Sequence, residues 1–419
     1  MAQITSPRGT RDFLQGEALL RARVVRKIEE VYKRFGYDPA ETPAFEELAV
    51  LERKCGEDVQ KLIYKLEGDK LGLRFDLTVP TARVVAGTAL PKPFKRYCIG
   101  EVWRREEPQK GRFREFLQAD IDIFGSAGMA CEAELLACAS ECLRELGFGD
   151  FKILLNNRKT LDAVVKSAGV PEGKASAVFR AVDKLGKMSE REVREEMRGK
   201  GISEGAIEKI FGMTRVGWGN EQKLAMIKKF DEEGGRELEE IMRLARAYGV
   251  DNIEIDLTLA RGLDYYTGPI FEISAGGGVG SVAGGGRFDN LVELYGGSPT
   301  PAVGISFGVE RIIEVMRGAL KEMKKTETRV YVAPVKEEFY LNAIGVAREF
   351  RKAGVSAQID LMSRNLKKQL EYANALGIPF VAIIGEKEAK EGKITLRNFK
   401  SGEEKLLSID EAVKMVCAC

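Results

Sequence analysis

Apolar side chains recur every three or four positions from Leu20 through Val24, Ile28 and Val31 to Phe35, and Gly36 follows where such a helix ends. Pro39 and Pro43 interrupt that period before FEELAVLERKCG. The next stretch, GLRFDLTVPTARVVA, alternates apolar and polar residues and stops at Pro80, which predicts a strand. Two more strand-like runs, FKRYCIGEVWR and RFREFLQADIDIFG, enclose a charged loop and predict an antiparallel hairpin. After a short strand at 153–157 the period lengthens: KTLDAVVKSAGV, KASAVFRAVDKLG, EREVREEMRG and ELEEIMRLARAYG carry helical spacing with Gly or Pro between them. Residues 158–250 therefore read as a helical insertion. Alternation returns at NIEIDLT and PIFEISAGG, passes through glycine-rich turns, and ends in AVGISFGVERIIEVM, a strand running into a helix.

The first domain closes there, giving expected bounds of 1–320. LKEMKKTET is a polar linker, and beyond it RVYVAPV, VSAQID and IPFVAIIG alternate with helical segments starting at Glu337 and Arg364. This β-α-β-α-β order predicts a small α/β domain at 327–419 with a parallel or mixed sheet. A chain of 419 residues exceeds what one hydrophobic core supports, so the division agrees with size alone.

Side-chain alternation on the second hairpin arm separates two faces. Leu117, Ala119, Ile121 and Ile123 point one way; Arg114, Gln118, Asp120 and Asp122 point the other. A solvated outer face would account for the polar side of an arbitrary hairpin. Here Arg104 and Arg112 bracket the turn of WRREEPQKGRFREF, and guanidinium groups above a carboxylate floor suit a ligand with one anionic and one cationic end. In LARGLDYYTGPIFE, Arg261 stands before Asp264 and the pair Tyr265-Tyr266, which alone fits a packed core equally well. Asp76 and Thr78 share a face of RFDLTVP, as they would in any solvated edge strand. Gly278, Gly280 and Ala283 imitate a dinucleotide fingerprint, but no helix follows directly, and that reading is rejected. Gly304, Ser306 and Gly308 share one strand face and leave a flat floor for a planar base, with Arg311 in the helix that follows.

Composition narrows the chemistry. Lys plus Arg number 66 against 64 Asp plus Glu, so bulk charge neither demands nor forbids a nucleic-acid partner. The N-terminus lacks an apolar leader and no apolar run approaches the ~20 residues of a membrane span, which reads as a cytoplasmic chain. Seven cysteines form no CxxC pair, and Cys131, Cys138 and Cys142 at helical spacing read as a reduced, buried face without a metal. The chain contains 0 histidines, which excludes His-based nucleophilic catalysis, a His-ligated zinc and a histidine general base.

The order of these motifs resembles the class II aminoacyl-tRNA synthetases, and within them the histidyl-tRNA synthetase family, over essentially the whole chain. Pro43 after the long helix is similar to motif 1, EVWRREEPQKGRFREF to motif 2 and GISFGVERI to motif 3, while RGLDYYTGPIFE and AGGGRFDNL resemble the two histidine-specific signatures. The resemblance implies an α+β catalytic domain built on an antiparallel sheet, a C-terminal α/β anticodon-binding domain, and a homodimer formed through motif 1. It implies a ligase that uses ATP and Mg²⁺ to activate L-histidine as histidyl-adenylate and transfers it to the 3′ end of tRNA(His). Carried over by position, Arg104, Glu106, Arg112 and Arg311 hold ATP, and Arg104 also meets the substrate carboxylate. Asp76, Thr78 and Gln118 receive the α-amino group; Asp122, Tyr265 and Tyr266 receive the imidazole; Arg261 and Arg104 are the catalytic cations at the α-phosphate. The chain departs from the family pattern at Arg105, where many bacterial members have His, and at Phe288, where Tyr is common and a hydroxyl contact is lost. The alternatives are a non-catalytic, histidine-sensing regulatory paralogue, disfavoured by Arg104, Arg261, Arg311 and the C-terminal domain, and a class II synthetase for proline, glycine or threonine, disfavoured by RGLDYYT.

Overall fold

The computed structural model describes residues 4–53, 57–109, 111–182, 184–185, 188–213, 218–260, 265–276, 278–319 and 323–418. Contacts divide the chain into two compact units, Met1–Asp12 with Arg23–Ala319, and Phe13–Ala22 with Leu320–Cys419. The helix of the opening period spans Gln15–Arg34 and is closed by Gly36 at φ +73°, a left-handed position that suits glycine.

The first unit is built on an eight-stranded sheet: β1 (Asp38–Pro39), β2 (Phe94–Trp103), β3 (Glu115–Phe124), β4 (Lys152–Asn157), β5 (Ile253–Ile255), β6 (Pro269–Ser274), β7 (Ser281–Arg287) and β8 (Ala302–Gly308). Their order is β1-β2-β3-β8-β7-β6-β4-β5. The five inner pairings are antiparallel; β1 with β2 and β4 with β5 run parallel. The expected hairpin is β2 and β3, with Trp103 opposite Glu115 at the loop end and Phe94 opposite Phe124 at the other. Neither face of β3 is solvated, since every residue from Leu117 to Phe124 is buried. Its polar face is therefore enclosed, and enclosure is what gives those groups unusual energetics.

Two segments differ from their sequence reading. Of GLRFDLTVPTARVVA only the first two residues are extended, as the end of a strand Leu71–Leu73 paired with Phe45–Glu47, and Thr78–Gly87 is a helix. Pro80 sits in its first turn, where its missing N–H costs no hydrogen bond. The alternation arises because this helix buries Val79, Ala82 and Val85 together with Thr78 and Thr81, so it lacks a long polar face. Asp76 and Thr78 thus meet at a helix entrance rather than on a strand, and Asp76 Oδ1 accepts from Val79 N at 3.0 Å. The second difference is SVAGGGR, expected as turns and found as β7 near the middle of the sheet. A methyl group at Gly285 would lie 1.9 Å from the Gly304 carbonyl oxygen. Glycine is needed there because the β7 and β8 backbones approach too closely for any Cβ.

Between β4 and β5 the described residues form six α-helices, Arg158–Ser167, Ala175–Val182, Glu190–Gly199, Glu204–Met213, Asn220–Phe230 and Glu232–Ala247; the fourth and fifth add to the four that the sequence period predicts. Val164, Val178, Val193, Ile207 and Ile210 belong to their shared core. The helix Ala130–Glu145 turns Cys131, Cys138 and Cys142 inward as buried free thiols.

The second unit carries a five-stranded mixed sheet, β9 (Val330–Pro334), β10 (Ala357–Ile359), β11 (Phe380–Ile384), β12 (Lys393–Asn398) and β13 (Glu404–Ser408), in the order β10-β9-β11-β12-β13. β9 is parallel to both neighbours, whereas β12 and β13 form an antiparallel extension beyond the expected pattern. Helices Tyr340–Lys352 and Ile409–Ala418 pack on one core with Val332 and Ile394; Ala373, of helix Leu366–Ala375, packs with Tyr331 and Val381 in another. No helix among the described residues is long and apolar enough to cross a membrane.

Candidate active site

A cavity of about 320 Å³ opens over the middle of the eight-stranded sheet, where β3, β8 and β7 lie side by side. Gly284, Gly285, Gly304 and Gly308 contribute bare backbone to its lining. At one end stand three arginines from separate segments. Arg104 follows β2; its Nε donates to the Phe75 carbonyl at 2.9 Å and its guanidinium lies 5.2 Å from the Phe116 ring centre. Arg112 closes a tight loop tip in which Arg112 N donates to Gln109 O at 2.8 Å, with Gly111 at φ +71° making the turn. Its Nη1 is 3.7 Å from Glu106 Oε2. Arg311, from the helix after β8, donates Nη1 to Ser281 O at 2.7 Å and Nε to Gly111 O at 3.4 Å. Burial, then the charges of Arg112 and Arg104, push the Arg311 guanidinium below its ordinary pKa. Cations gathered in this way, Arg104 and Arg311 held by carbonyl oxygens and Arg112 beside Glu106, form a ready anion site.

The other end is acidic. Asp76 is held by Val79 N and by the Tyr265 hydroxyl, which donates to Asp76 Oδ2 at 3.5 Å. Burial raises its pKa against the lowering by Val79 N–H, Arg104, Arg96 and Tyr265. Tyr265 packs against Tyr266 with ring centres 5.0 Å apart and edge-on to Phe288 at 5.7 Å. Burial, with Tyr266 and the three carboxylates nearby, raises its phenol well above the usual range. Gln118 Nε2 donates to Ser306 Oγ at 2.8 Å, which leaves Gln118 Oε1 without a partner.

The structure brings Asp76, Thr78, Arg104, Glu106, Arg112, Gln118, Tyr265, Tyr266 and Arg311 to this one cavity. Asp122, expected to face the imidazole, does not line it. Arg96, directly opposite on β2, takes the Asp122 carboxylate in an ion pair with both side chains buried, and the absent side chain of Gly304 leaves the space that Asp122 fills. Burial raises Asp122 to about 6 although Arg96 opposes it. Asp120, two residues earlier on the same face, lines the cavity instead. Strand alternation places it among the polar residues, but alternation cannot rank three equivalent positions on one face. Arg114, expected on that face, instead donates Nε to Glu106 O at 3.1 Å beside the loop. Arg261 and Asp264 lie outside the described residues. Arg96 is the residue that sequence reasoning misses: one charged side chain in a strand that also carries Lys95 and Glu101 gives no signal until its carboxylate partners are known. Phe288 lies in the wall, edge-on to Phe124 as well as Tyr265, so the aromatic shape is kept without a hydroxyl.

An antiparallel sheet carrying the cation-lined cavity, with a second α/β unit after it, is the arrangement of a class II aminoacyl-tRNA synthetase. Comparison with known proteins narrows this further. A family model described as histidyl-tRNA synthetase matches residues 9–312, and one described as anticodon binding domain matches 329–418. Histidine–tRNA ligase of Thermococcus kodakarensis is 37% identical across 99% of both chains, and that of Aeropyrum pernix is 38% identical across 98% of this chain and 97% of its own. The crystal structure of histidyl-tRNA synthetase from Nostoc sp. PCC 7120 superposes with a TM-score of 0.88 at 31% identity, covering 100% of each chain. The chain belongs to the histidyl-tRNA synthetase family. A structure described as an ATP phosphoribosyltransferase regulatory subunit/histidyl-tRNA synthetase from Bacillus halodurans shares the fold, with a TM-score of 0.74 at 21% identity over 88% of this chain and 96% of its own.

Proposed function

We infer that the chain is a histidine–tRNA ligase that activates L-histidine with ATP and transfers the histidyl group to the 3′ end of tRNA(His). The observation that carries this reading is the single cavity with Arg104, Arg112 and Arg311 at one end and Asp76, Gln118, Tyr265 and Tyr266 at the other. ATP lies over the glycine floor with its phosphates at the arginines, and histidine lies with its carboxylate toward them. A histidine carboxylate oxygen attacks the α-phosphorus, the bond to the pyrophosphate oxygen breaks, and histidyl-adenylate and pyrophosphate result. Charge accumulates on the non-bridging oxygens as this happens, and a guanidinium already held in place, as Arg104 is by the Phe75 carbonyl, stabilises it without reorganising. Arg104 and Arg261 are assigned that task. The terminal tRNA hydroxyl then attacks the adenylate carbonyl and AMP leaves. With no histidine in the chain, a phosphate oxygen of the adenylate accepts the proton.

Magnesium belongs with the substrate ATP. Among the described residues no cluster of three or more metal-ligating side chains occurs, whereas Glu106 and Glu310 line the cavity beside Arg311. That donor set suits an ion held mainly by phosphates and water. The α-ammonium group is assigned to Asp76, Thr78 and Gln118, and the imidazole to the deep end near Tyr265 and Tyr266. A homodimer formed through the segment around Pro43 and a cytoplasmic location complete the reading.

Amino-acid-dependent pyrophosphate exchange tests it: histidine supports exchange and the other amino acids do not. Arg104→Ala and Arg261→Ala each lower the histidine-dependent rate by about 10²-fold or more. Near-normal exchange in both variants overturns the assignment of the two arginines; a wild type that binds histidine without supporting any exchange overturns the ligase reading and favours a non-catalytic, histidine-sensing regulatory protein.

A further inference from the structure

Residues 4–12 bury no side chain and join no hydrophobic core. An exposed segment of that kind stays loose unless something holds it, so the contacts it makes show what it serves. The Pro7 carbonyl accepts from Thr10 N at 3.0 Å and from Thr10 Oγ1 at 2.8 Å, closing a tight turn with Gly9 at φ +87°. This turn lies against 104–114, the loop between β2 and β3 that carries Arg104, Glu106, Arg112 and Phe113 to the cavity. The Gly9 carbonyl accepts from Arg114 N at 2.8 Å. A Cβ on Gly9 would stand 2.7 Å from Arg114 Cγ and 2.9 Å from Pro108 Cγ, so backbone conformation and close approach both require glycine. The Arg11 guanidinium lies 4.1 Å from the Phe113 ring centre, and Arg8 Nη2 meets Glu107 Oε2 at 2.7 Å. That ion pair is exposed and contributes little; the hydrogen bond and the cation over the ring are the holding contacts.

Arg114 passes this hold inward. Its carbonyl accepts from Arg104 N at 2.9 Å and its Nε donates to Glu106 O at 3.1 Å, so the residue seated on Gly9 also fixes the backbone at the base of the loop. The loop needs such support. Burial, and then the charges of Arg112 and Arg104, lower the Arg311 guanidinium, so these cations repel one another when no anion lies among them. We propose that residues 7–11 are a positioning clamp for the nucleotide, in which Gly9 and Arg11 hold the 104–114 loop so that Glu106, Arg112 and Phe113 stand ready for ATP. The inference rests on the histidine–tRNA ligase reading and adds to it a segment that governs use of ATP and leaves histidine recognition alone. Gly9 and Arg11 do not line the cavity, so they act through the loop, which is ordered before the nucleotide arrives. Arg104, held separately by the Phe75 carbonyl, keeps its place toward the histidine carboxylate.

The test uses the whole chain, histidine-dependent pyrophosphate exchange and equilibrium binding of ATP. Gly9→Ala unseats the turn without removing a charge, which separates positioning from a simple loss of positive field. It raises KM and Kd for ATP about tenfold, leaves KM for histidine within about twofold, and leaves Tm nearly unchanged. Arg11→Ala raises KM for ATP about threefold, and Arg11→Lys, which keeps the cation without the flat guanidinium, recovers part of that loss. Deletion of residues 2–9 reproduces the Gly9→Ala result and decides alone if that variant does not fold. An unchanged KM for ATP in the folded variants, or equal rises for ATP and histidine, overturns the proposal, the second outcome marking a general loss of structure. A wild type that shows no histidine-dependent exchange overturns the ligase reading instead, and the Kd for ATP then still decides for or against the clamp.

Discussion

Arg96 has all of its side chain buried and lies among Asp76, Asp120 and Asp122, so three carboxylates share one enclosed cation. The consequence is a pH dependence with a definite sign. Asp120 and Asp122 are raised to about 7 and about 6, first by burial, with Arg96 and the Ser306 hydroxyl opposing and the neighbouring aspartates reinforcing. An acid whose folded pKa lies above its unfolded value, about 4, binds protons better in the folded state, so stability falls as pH rises through that window. The urea midpoint of the ligand-free protein is expected to drop between pH 5 and pH 8, and Asp120→Asn is expected to flatten the decline. A midpoint that rises over this range in the wild type would contradict the assignment. At this scale the sequence exposes much: alternation identifies Gln118, Asp120 and Asp122 as one polar face, and the motifs mark Arg104 and Arg311. It does not reveal which aspartate lines the cavity, because that depends on Arg96 lying across the strand pair and on Gly304 leaving room.

Elements show a sharper contrast. The long helix Gln15–Arg34 and the β2-β3 hairpin are legible, since each has one dominant period over ten or more residues. Thr78–Gly87 is not, because a short helix buried on most sides carries no clear polar stripe. Glycine explains the other miss: local propensity argues against a strand at Gly284–Gly286, yet close approach of β7 to β8 selects it there. Gly285→Ala would set a methyl against the Gly304 carbonyl and the Ile305 Cα, backbone atoms on the facing strand. It is expected to destabilise by about 3 kcal/mol or more, read as a loss of folded protein or a large fall in Tm. Gly212, exposed within helix Glu204–Met213 and with open space to 4 Å around the place a methyl would take, behaves oppositely. Gly212→Ala is expected to stabilise by about 0.5–1 kcal/mol in a denaturant titration.

For the whole molecule, the two units call for separate readouts. In the second, Lys367 and Lys368 are exposed in the first turn of helix Leu366–Ala375, where no acidic residue offsets the positive end of the helix dipole. Nearby, Asp360 fixes Arg364, whose N and Nε both donate to it at 2.6 Å, so the approach to that helix is braced. Such a basic, rigid edge suits the backbone of RNA. Lys367→Ala combined with Lys368→Ala is expected to raise KM for tRNA severalfold in aminoacylation and to leave pyrophosphate exchange unchanged; an effect on exchange would argue against it. The sequence by itself determined the main periodic elements, the absence of histidine chemistry and the ordered motifs of a class II synthetase, because these depend on residue type and spacing along the chain. Only the tertiary structure decided that β7 is a strand, that Asp122 is bound to Arg96, and that Asp120 lines the cavity, because each follows from backbones and charges brought together from distant parts of the chain.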